Sequence, residues 1–248
     1  MIYIKKGAPP NSVATKVAEI KRTSQWRAIP EVRPSDPDSQ NGYSDTLRTY
    51  FDQLPKDDIR EALLEEQHHV CAYCMRHLSN KQSARIEHWF PLSQARDTAI
   101  DYRNFLAVCD GVKSEQQQRH PCCDVSKGGT EITLDPRCQW MMDQIRYESN
   151  GRVYFEVPTE MDSQLAGKIS NDIDVTLRLN GSESDLTIGR RRVYESCKKT
   201  MEKLQRNHKC SVANVEKLLH QMESQEAYPD YVGVMMFYYK RWLKNHSK

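Results

Sequence analysis

The chain has 248 residues and a mass of 28.9 kDa, enough for one large domain or two small ones with hydrophobic cores. Its mean hydropathy is −0.79, and ten Gly and eleven Pro without a period exclude a collagen-like chain. No run approaches the roughly 18–20 consecutive apolar residues of a membrane span, and residues 1–6 lack the apolar core of a signal peptide. We therefore expect a cytoplasmic protein that does not bind a membrane.

The net charge of +2 is distributed unevenly along the chain. Residues 189–248 contain 13 Lys and Arg against 6 Asp and Glu, a net charge of +7, which leaves −5 for residues 1–188. Such an asymmetry is typical of a C-terminal region that meets an anionic partner. A solvated basic helical face gives the same count, so the charge leaves both interpretations open.

Residues 1–58 form the first of four predicted segments, an N-terminal arm and helices. A short helix is indicated by apolar residues that share one face, with Ser12 as N-cap: Val13, Val17 and Ile20. Residues 30–42 are rich in Pro, Ser, Asp and Asn, which predicts a loop. A second helix is indicated by helical spacing of apolar residues: Leu47, Tyr50, Phe51 and Leu54. A third helix begins after Pro55, has two acidic residues near its positive end, and runs towards Cys71.

Residues 59–136 form the second segment, which is rich in cysteine. We see no export signal and therefore expect the protein in the cytosol. Because the cytosol keeps thiols reduced, we do not expect disulfides. Cys71 and Cys74 are spaced so that one tight turn presents two thiolates to Zn²⁺, and tetrahedral closure needs two more ligands. Cys109 and the pair at residues 122–123 supply them further along the chain. Buried free thiols, which behave as small hydrophobic residues, are the alternative interpretation.

Polar residues of the types that take part in catalysis and metal binding lie between the two halves of this cysteine set. Glu87 and His88 are adjacent in a stretch whose apolar and aromatic residues predict a strand ended by Pro91. Asn104 follows in the next part of the chain. The late cysteines lead into a predicted short helix that ends in glycine at Gly128.

Residues 137–188 form the third segment, a hairpin and a connecting region. Asn150-Gly151 lies between two runs of strand-forming residues, and both residues tolerate the positive φ of a type I′ turn. Residues 172–180 are ambiguous, because their apolar residues fit either a strand or a helix.

Residues 189–248 form the fourth segment, a basic helical region. Two helices are indicated by apolar residues three and four positions apart: Val193, Cys197, Met201 and Leu204, then Val212, Val215, Leu219 and Met222. Residues 235–243 predict a final, strongly apolar helix rich in Met and aromatic residues. It is interpreted as a packed core helix, with a partner surface as the alternative.

Five features resemble, in their order along the chain, the HNH endonuclease family: Cys71-x-x-Cys74, Glu87-His88, Asn104, Cys109, and Cys123-Asp124-x-x-Lys127-Gly128. In many members of that family a four-cysteine zinc site holds the ββα-metal core. The resemblance implies an α+β, mainly helical fold, in which such a core is embedded in N- and C-terminal helices.

The resemblance also implies roles for individual residues. His88 becomes the general base, and Glu87 and Asp124 become ligands of a catalytic Mg²⁺ or Mn²⁺, although the family more often has Asp, and His or Asn, at these two positions. Asn104 matches the central Asn, which braces the loop and orients the histidine. These residue types suit phosphodiester hydrolysis, because His takes up a proton near pH ~6.5 and carboxylates are ligands of hard divalent cations.

The resemblance assigns the structural zinc to four cysteines: Cys71, Cys74, Cys109 and Cys123. The gap from Cys109 to Cys123 is far longer than the usual Cys-x-x-Cys, so Cys122 and His120 stay open as rival fourth ligands. Lys127 is interpreted either as a contact to a phosphate or as a solvated helix lysine.

Less specific features resemble the PtuB-like HNH subunits of Septu and retron-associated anti-phage defence systems. These features are the opening residues 1–6, the stretch at 86–91, and Leu134-Asp135-Pro136. That family implies an ATPase partner and, in retron-linked members, a reverse transcriptase with its multicopy DNA. It also favours a helix at residues 172–180.

The resulting hypothesis is a metal-dependent HNH endonuclease that cleaves nucleic acid and acts as the effector of an anti-phage complex. The sequence leaves open whether DNA or tRNA is the substrate. A zinc-stabilised module that binds nucleic acid or protein without cleaving it is the rival hypothesis from a different class.

Overall fold

The structure is a computed structural model that describes residues 1–113, 119–181 and 185–246, with the backbone alone described at residues 37, 38, 41, 112, 113, 119 and 120. The described residues form a mainly helical α+β fold, as expected. Its helices are α1 (Asn11–Arg22), α2 (Ser24–Ala28), α3 (Pro37–Asp52), α4 (Lys56–Glu66), α5 (Cys123–Lys127), α6 (Gln139–Met142), α7 (Ser163–Asn171), α8 (Asp185–Arg206), α9 (Val212–Glu223) and α10 (Val232–His246). Its strands are β1 (Arg85–His88), β2 (Phe105–Val108), β3 (Val112–Lys113), β4 (Arg119–His120), β5 (Ile145–Tyr147) and β6 (Val153–Phe155).

The strands of the described ranges pair as three antiparallel, two-stranded sheets. In the first, β1 pairs with β2 so that Arg85 lies opposite Val108 and His88 lies opposite Phe105. β3 pairs with β4, and β5 pairs with β6. All of β2 is buried, so helices cover both faces of the first sheet.

The N-terminal helices differ from the prediction at their starting points. α1 begins after Pro10, and Ser12 lies inside it and donates a hydrogen bond to Asp58, so the prediction of Ser12 as N-cap is wrong. α3 begins at residue 37, so the predicted loop at 30–42 is shorter than expected. The side chain of Asp36 caps α3 by accepting the Ser39 amide at 3.0 Å, and the proline that follows Asp36 fits the first helical turn because that turn needs no amide donor.

The helix predicted after Pro55 is confirmed. α4 has Asp57 and Asp58 in its first turn, where carboxylates stabilise the positive helix end, and it buries Ile59 and Leu63 completely. It contacts both β1 and β2, and therefore forms one wall behind the first sheet.

The predicted hairpin at residues 145–155 is confirmed, but its turn is not of type I′. Gly151 has a φ of +92°, whereas Asn150 is not among the residues with positive φ. A Cβ atom on Gly151 would lie 2.0 Å from the carbonyl oxygen of Thr187, so the close approach of α8 also requires glycine here.

Residues 172–180 form no strand in the structure. Residues 172–176 continue α7 as a π-helical turn, which fits the helix favoured by the family resemblance for the first part of this stretch. Leu177 and Leu179 follow it and are fully buried.

The three predicted C-terminal helices are confirmed as α8, α9 and α10. α10 packs against α8, α9 and β5, and it buries Val234, Met236 and Tyr239. A Cβ atom on Gly233 would lie 2.6 Å from the sulfur of Met75, so α10 approaches the cysteine-rich turn directly. The interpretation of α10 as a packed core helix is therefore correct. No helix within the described ranges is long and apolar enough to cross a bilayer.

Candidate metal centre and the adjoining carboxylates

The turn at residues 71–76 presents the first two thiols. The Cys71 amide donates to the Arg76 carbonyl at 2.9 Å, and the Met75 amide donates back to the Cys71 carbonyl at 3.0 Å. Met75 closes this turn with a φ of +63°, a left-handed conformation that side chains other than glycine rarely adopt. Cys71 and Cys74 are both fully buried. The local sequence therefore places two thiols on the inner side of one tight turn.

The structure brings the four predicted cysteines together. Their sulfur atoms all lie within 4.8 Å of one another, at 3.9 Å for Cys71 and Cys123 and 3.7 Å for Cys74 and Cys109. A tetrahedral zinc ion with bonds of about 2.3 Å separates its thiolates by about 3.8 Å. All four are free cysteines, so the group could hold a metal ion such as zinc.

The four-thiol group joins three stretches of the chain that are distant in sequence. Cys109 directly follows β2, and Cys123 is the first residue of α5, with a φ of +54° and its amide bound to the Leu177 carbonyl at 2.9 Å. This geometry places Cys123 in the four-thiol group, while Cys122 is buried outside it. The side chain of His120, the other rival ligand, lies outside the described residues.

Four thiolates at these distances would repel one another. The pKa values of the Cys74 and Cys123 thiols lie well above the usual range, and hydrogen bonding to Cys109 is the largest cause. The protein alone therefore does not stabilise four thiolates in this space. A bound metal ion removes the difficulty, since its positive charge favours the deprotonated ligands.

Glu87 lies beside the four-thiol group and is almost completely buried. One of its oxygens accepts a hydrogen bond from Tyr73 Oη at 3.3 Å and lies 2.7 Å from Lys127 Nζ. Burial raises the pKa of Glu87 to about 8, and the neighbouring Asp124 carboxyl adds to the effect, although the Lys127 ammonium acts in the opposite direction. The structure therefore brings Glu87 and Asp124 together, as predicted, next to a cationic side chain.

Asp124 reaches Glu87 from the first turn of α5. Its carboxylate also pairs with Arg85 at 3.1 Å, and its side chain is 16% exposed. Two adjoining carboxylates are donors of the type that Mg²⁺ and Mn²⁺ bind, so this pair fits a divalent cation by its chemistry. In the described chain, only the four cysteines form a group of three or more metal-ligating side chains.

Lys127 behaves as neither of the two alternatives considered for it. Its side chain is 1% exposed, and its ammonium group binds the Glu87 carboxylate and donates to the His88 carbonyl oxygen at 3.0 Å. It is therefore neither solvated nor available to a phosphate at the surface. One turn of α5 places it three residues after Asp124, on the side that faces β1.

His88 faces away from the carboxylates. Adjacent residues in a strand point to opposite faces, and the His88 ring packs 4.6 Å from the Phe51 ring of α3 and 4.9 Å from the Phe105 ring. The Ala99 carbonyl lies 3.0 Å from Nε2 and can only accept, so Nε2 carries the proton, while Nδ1 has no hydrogen-bond partner among the described residues. Burial lowers the pKa of His88 to about 4, which keeps the imidazole neutral near pH 7.

Asn104 braces the loop after His88. Its side-chain amide donates to the Phe90 and Thr98 carbonyls at 2.8 and 3.0 Å, and its side-chain oxygen accepts the Phe90 amide at 2.8 Å. Its backbone carbonyl accepts the Trp89 amide at 2.9 Å. Three of these four bonds hold the backbone at residues 89–90, which leads directly from His88, and the fourth ties Thr98 to the same side chain.

The arrangement therefore has two faces. Glu87 and Asp124 meet on the α5 side of β1, whereas the His88 ring lies on the α3 side, and only its carbonyl oxygen reaches the carboxylate cluster through Lys127. The sequence did not indicate Arg85 as a partner of Asp124. Its alternation with Glu87 along the strand was the available signal, since residues two apart share a face.

The burial of His88 predicts a loss of stability in acid. Its folded pKa of about 4 lies below the value of 6.5 for an exposed His, so the unfolded chain binds the proton first as the pH falls. The free energy of unfolding should therefore fall by about 3 kcal/mol between pH 6.5 and pH 4 because of this residue alone. Urea unfolding of the wild type and of His88→Gln across this range measures the difference. Equal slopes in the two proteins would contradict a buried, neutral His88.

Comparison of the sequence with known protein families yields no match, and comparison with curated proteins yields no similar sequence.

Proposed function

We propose that this chain is a metal-dependent endonuclease of the HNH type, with a structural zinc ion at its four cysteines. One observation carries the proposal: Glu87 and Asp124 adjoin each other on a β-hairpin and a following helix that four clustered thiols tie together. A binding module needs the four-thiol group but has no use for two adjoining carboxylates, one buried and one half-buried. These are costly to bury together unless a cation is part of their function.

His88 is the proposed general base. Its Nε2–H is held by the Ala99 carbonyl, which leaves Nδ1 to take a proton from water. The depressed pKa keeps this nitrogen unprotonated at neutral pH. Asn104 fixes the loop that follows His88 and is proposed as a positioning residue for it.

Glu87 and Asp124 are the residues that would hold a divalent ion. When bound, such an ion neutralises negative charge on the phosphate and on the leaving 3′ oxygen. Arg85 orients the Asp124 carboxylate, and Lys127 holds that of Glu87 from the opposite side. The carboxylates and the His88 ring lie on opposite sides of β1, so one phosphate reaches both only if the His88 side chain turns towards the carboxylates.

The rival function, a zinc-stabilised module that binds without cleaving, is favoured by one specific observation. The His88 ring packs between Phe51 and Phe105, and the ammonium group of Lys127 already neutralises Glu87. In this reading the same residues serve only to hold β1 against α3 and α5.

Cleavage assays separate the two functions. The purified chain is incubated with supercoiled plasmid and with total tRNA, with and without Mg²⁺ or Mn²⁺. His88→Ala should reduce cleavage at least about 100-fold, because general base catalysis contributes about that much or more. Asp124→Asn should also reduce it, whereas the matched controls His220→Ala and Asp45→Asn, both at exposed positions, should not. Equal cleavage by His88→Ala and wild type would remove the catalytic assignment, and binding without cleavage would support the module.

A role in anti-phage defence adds a partner to the proposal. The family resemblance points to an ATPase subunit and, in retron-linked systems, to a reverse transcriptase with its multicopy DNA. Because α8 and α10 contribute buried side chains to the core, such a partner would dock on the exposed side of residues 189–248. Co-purification of the full chain with an ATPase subunit of a Septu or retron-associated system tests this, and a failure to form a stable complex would contradict it.

A further inference from the structure

The structure contains a cleft that is separate from the proposed nuclease residues. It has a volume of about 850 Å³ and is formed by residues 1–5, the β5–β6 hairpin and α10. None of its lining residues belongs to β1, β2 or α5. Its size is in the range of sites that bind small ligands or a few units of a polymer, about 300–1,000 Å³.

The carboxylates in this cleft are all engaged by the protein itself. Glu66 pairs with Lys6 at 2.6 Å, Glu156 with Arg146 at 2.6 Å and Glu223 with Lys240 at 2.9 Å. The fourth, Asp143, accepts a hydrogen bond from Gln139 at 2.7 Å. Of these four carboxylates, only Asp143 keeps an uncompensated negative charge, because Gln139 is neutral.

Three cationic side chains in the same cleft have no such partner. Lys5, Arg241 and Lys244 line it and are exposed, and within the described ranges none of them makes an ion pair or a side-chain hydrogen bond. Arg241 and Lys244 are three residues apart and therefore share one face of α10. Against the single charge of Asp143, these three cations leave the cleft a net charge of about +2, which attracts an anionic ligand.

Two tyrosine rings are exposed beside these charges. Tyr3 is 40% exposed, and Tyr154, which points outward from β6, is 39% exposed. Both line the cleft. Exposed aromatic faces beside a basic groove are the arrangement on which unpaired nucleic-acid bases stack while their phosphates contact Lys and Arg.

We propose that this cleft binds single-stranded nucleic acid. Bases stack on Tyr3 and Tyr154, and backbone phosphates contact Lys5, Arg241 and Lys244. A duplex fits poorly, because its base faces are covered by stacking within the helix. An acidic peptide would use the cations but gain nothing from the tyrosine rings, so the two features together favour the single strand.

The proposal is tested by fluorescence anisotropy of labelled probes at several salt concentrations. The probes are a 12-nucleotide single strand, a 12-base-pair duplex and a poly-glutamate peptide. All proteins carry His88→Ala and no divalent ion is added, so the probes stay intact and the measurement does not depend on cleavage. A negative result for cleavage would therefore leave this result unaffected.

Two sets of substitutions separate the charges from the rings. The triple variant Lys5→Glu, Arg241→Glu, Lys244→Glu should weaken single-strand binding at least tenfold and reduce the slope of log affinity against log salt by about 2, as expected for three phosphate contacts. Tyr3→Ala with Tyr154→Ala should weaken it at least about fivefold with the salt slope unchanged. The control Lys198→Glu, Lys199→Glu, Lys203→Glu makes the same change in net charge on exposed positions of α8, outside the cleft, and should bind more tightly than the cleft variant.

Three outcomes would overturn the proposal. Equal weakening by the α8 control would show that only net charge matters. Binding of the duplex or of poly-glutamate as tight as that of the single strand would show that the tyrosine rings are not used. Unchanged affinity in the double tyrosine variant, with native far-UV circular dichroism, would lead to the same conclusion.

Discussion

Replacing Cys123 with serine is expected to release about one zinc ion per chain and to unfold the region around β1, β2 and α5. Structural zinc in small sites contributes about 10–16 kcal/mol of apparent binding free energy at pH 7, and a preformed site does not exist in the unfolded chain. Because Cys123 connects α5 to the other three thiols, its loss detaches the helix that carries Asp124 and Lys127. Elemental analysis measures the zinc, and thermal unfolding followed by circular dichroism measures the stability.

Cys122→Ser is the matched control for this prediction. Cys122 is the neighbouring residue and is also buried, but its sulfur is not part of the four-thiol group. The control should keep its zinc and lose only a little stability. If the control loses the metal and Cys123→Ser retains it, the assignment of the fourth ligand is wrong. Intact protein prepared with zinc in the medium and found to contain none would contradict the metal site itself.

Lys127→Met is expected to lower the free energy of unfolding by about 2–4 kcal/mol at neutral pH, because two buried acceptors each lose their donor. The substitution keeps most of the apolar stem but removes the charge that lies 2.7 Å from Glu87 and the donor to the His88 carbonyl. It leaves the buried His88 carbonyl and the Glu87 carboxyl without their donor, and Glu87, whose pKa is already about 8, takes up a proton. Urea unfolding of both proteins measures the change.

Lys81→Met is the matched control, because Lys81 pairs with Glu61 at the same distance of 2.7 Å on an exposed surface. Its removal should leave the free energy of unfolding nearly unchanged. Manganese should restore part of the stability of Lys127→Met, by about 2.7 kcal/mol at 100 times its dissociation constant, if Glu87 and Asp124 bind the ion. Lys127→Met as stable as wild type would show that the pair is not a structural element. A destabilised variant that manganese does not rescue would count against Glu87 and Asp124 as metal ligands.

Features set by short stretches of chain could be predicted from the sequence. α4 follows from Pro55, two acidic residues and the helical spacing of Ile59 and Leu63, all within one short stretch. The hairpin at β5 and β6 follows from alternation around Asn150-Gly151. The turn that presents Cys71 and Cys74 is closed by local hydrogen bonds between Cys71, Met75 and Arg76. In each case, neighbours along the chain supply most of the interactions that decide the conformation.

Other features depended on packing between distant elements. The sequence left Cys122, Cys123 and His120 open, and the left-handed backbone at Cys123, held by a bond to Leu177, decides which adjacent thiol enters the cluster. It left Lys127 at the surface, and the proximity of α5 to β1 buries it.

The adjacency of Glu87 and His88, and hence their placement on opposite faces of one strand, follows from the sequence itself, because successive residues of a strand alternate. Which helix covers each face does not follow from it. Tertiary packing decides this: Phe51 of α3 packs against the imidazole, and Lys127 of α5 pairs with the carboxylate. The reason is that burial and pairing energies depend on contacts between residues far apart in the chain, which no local pattern contains.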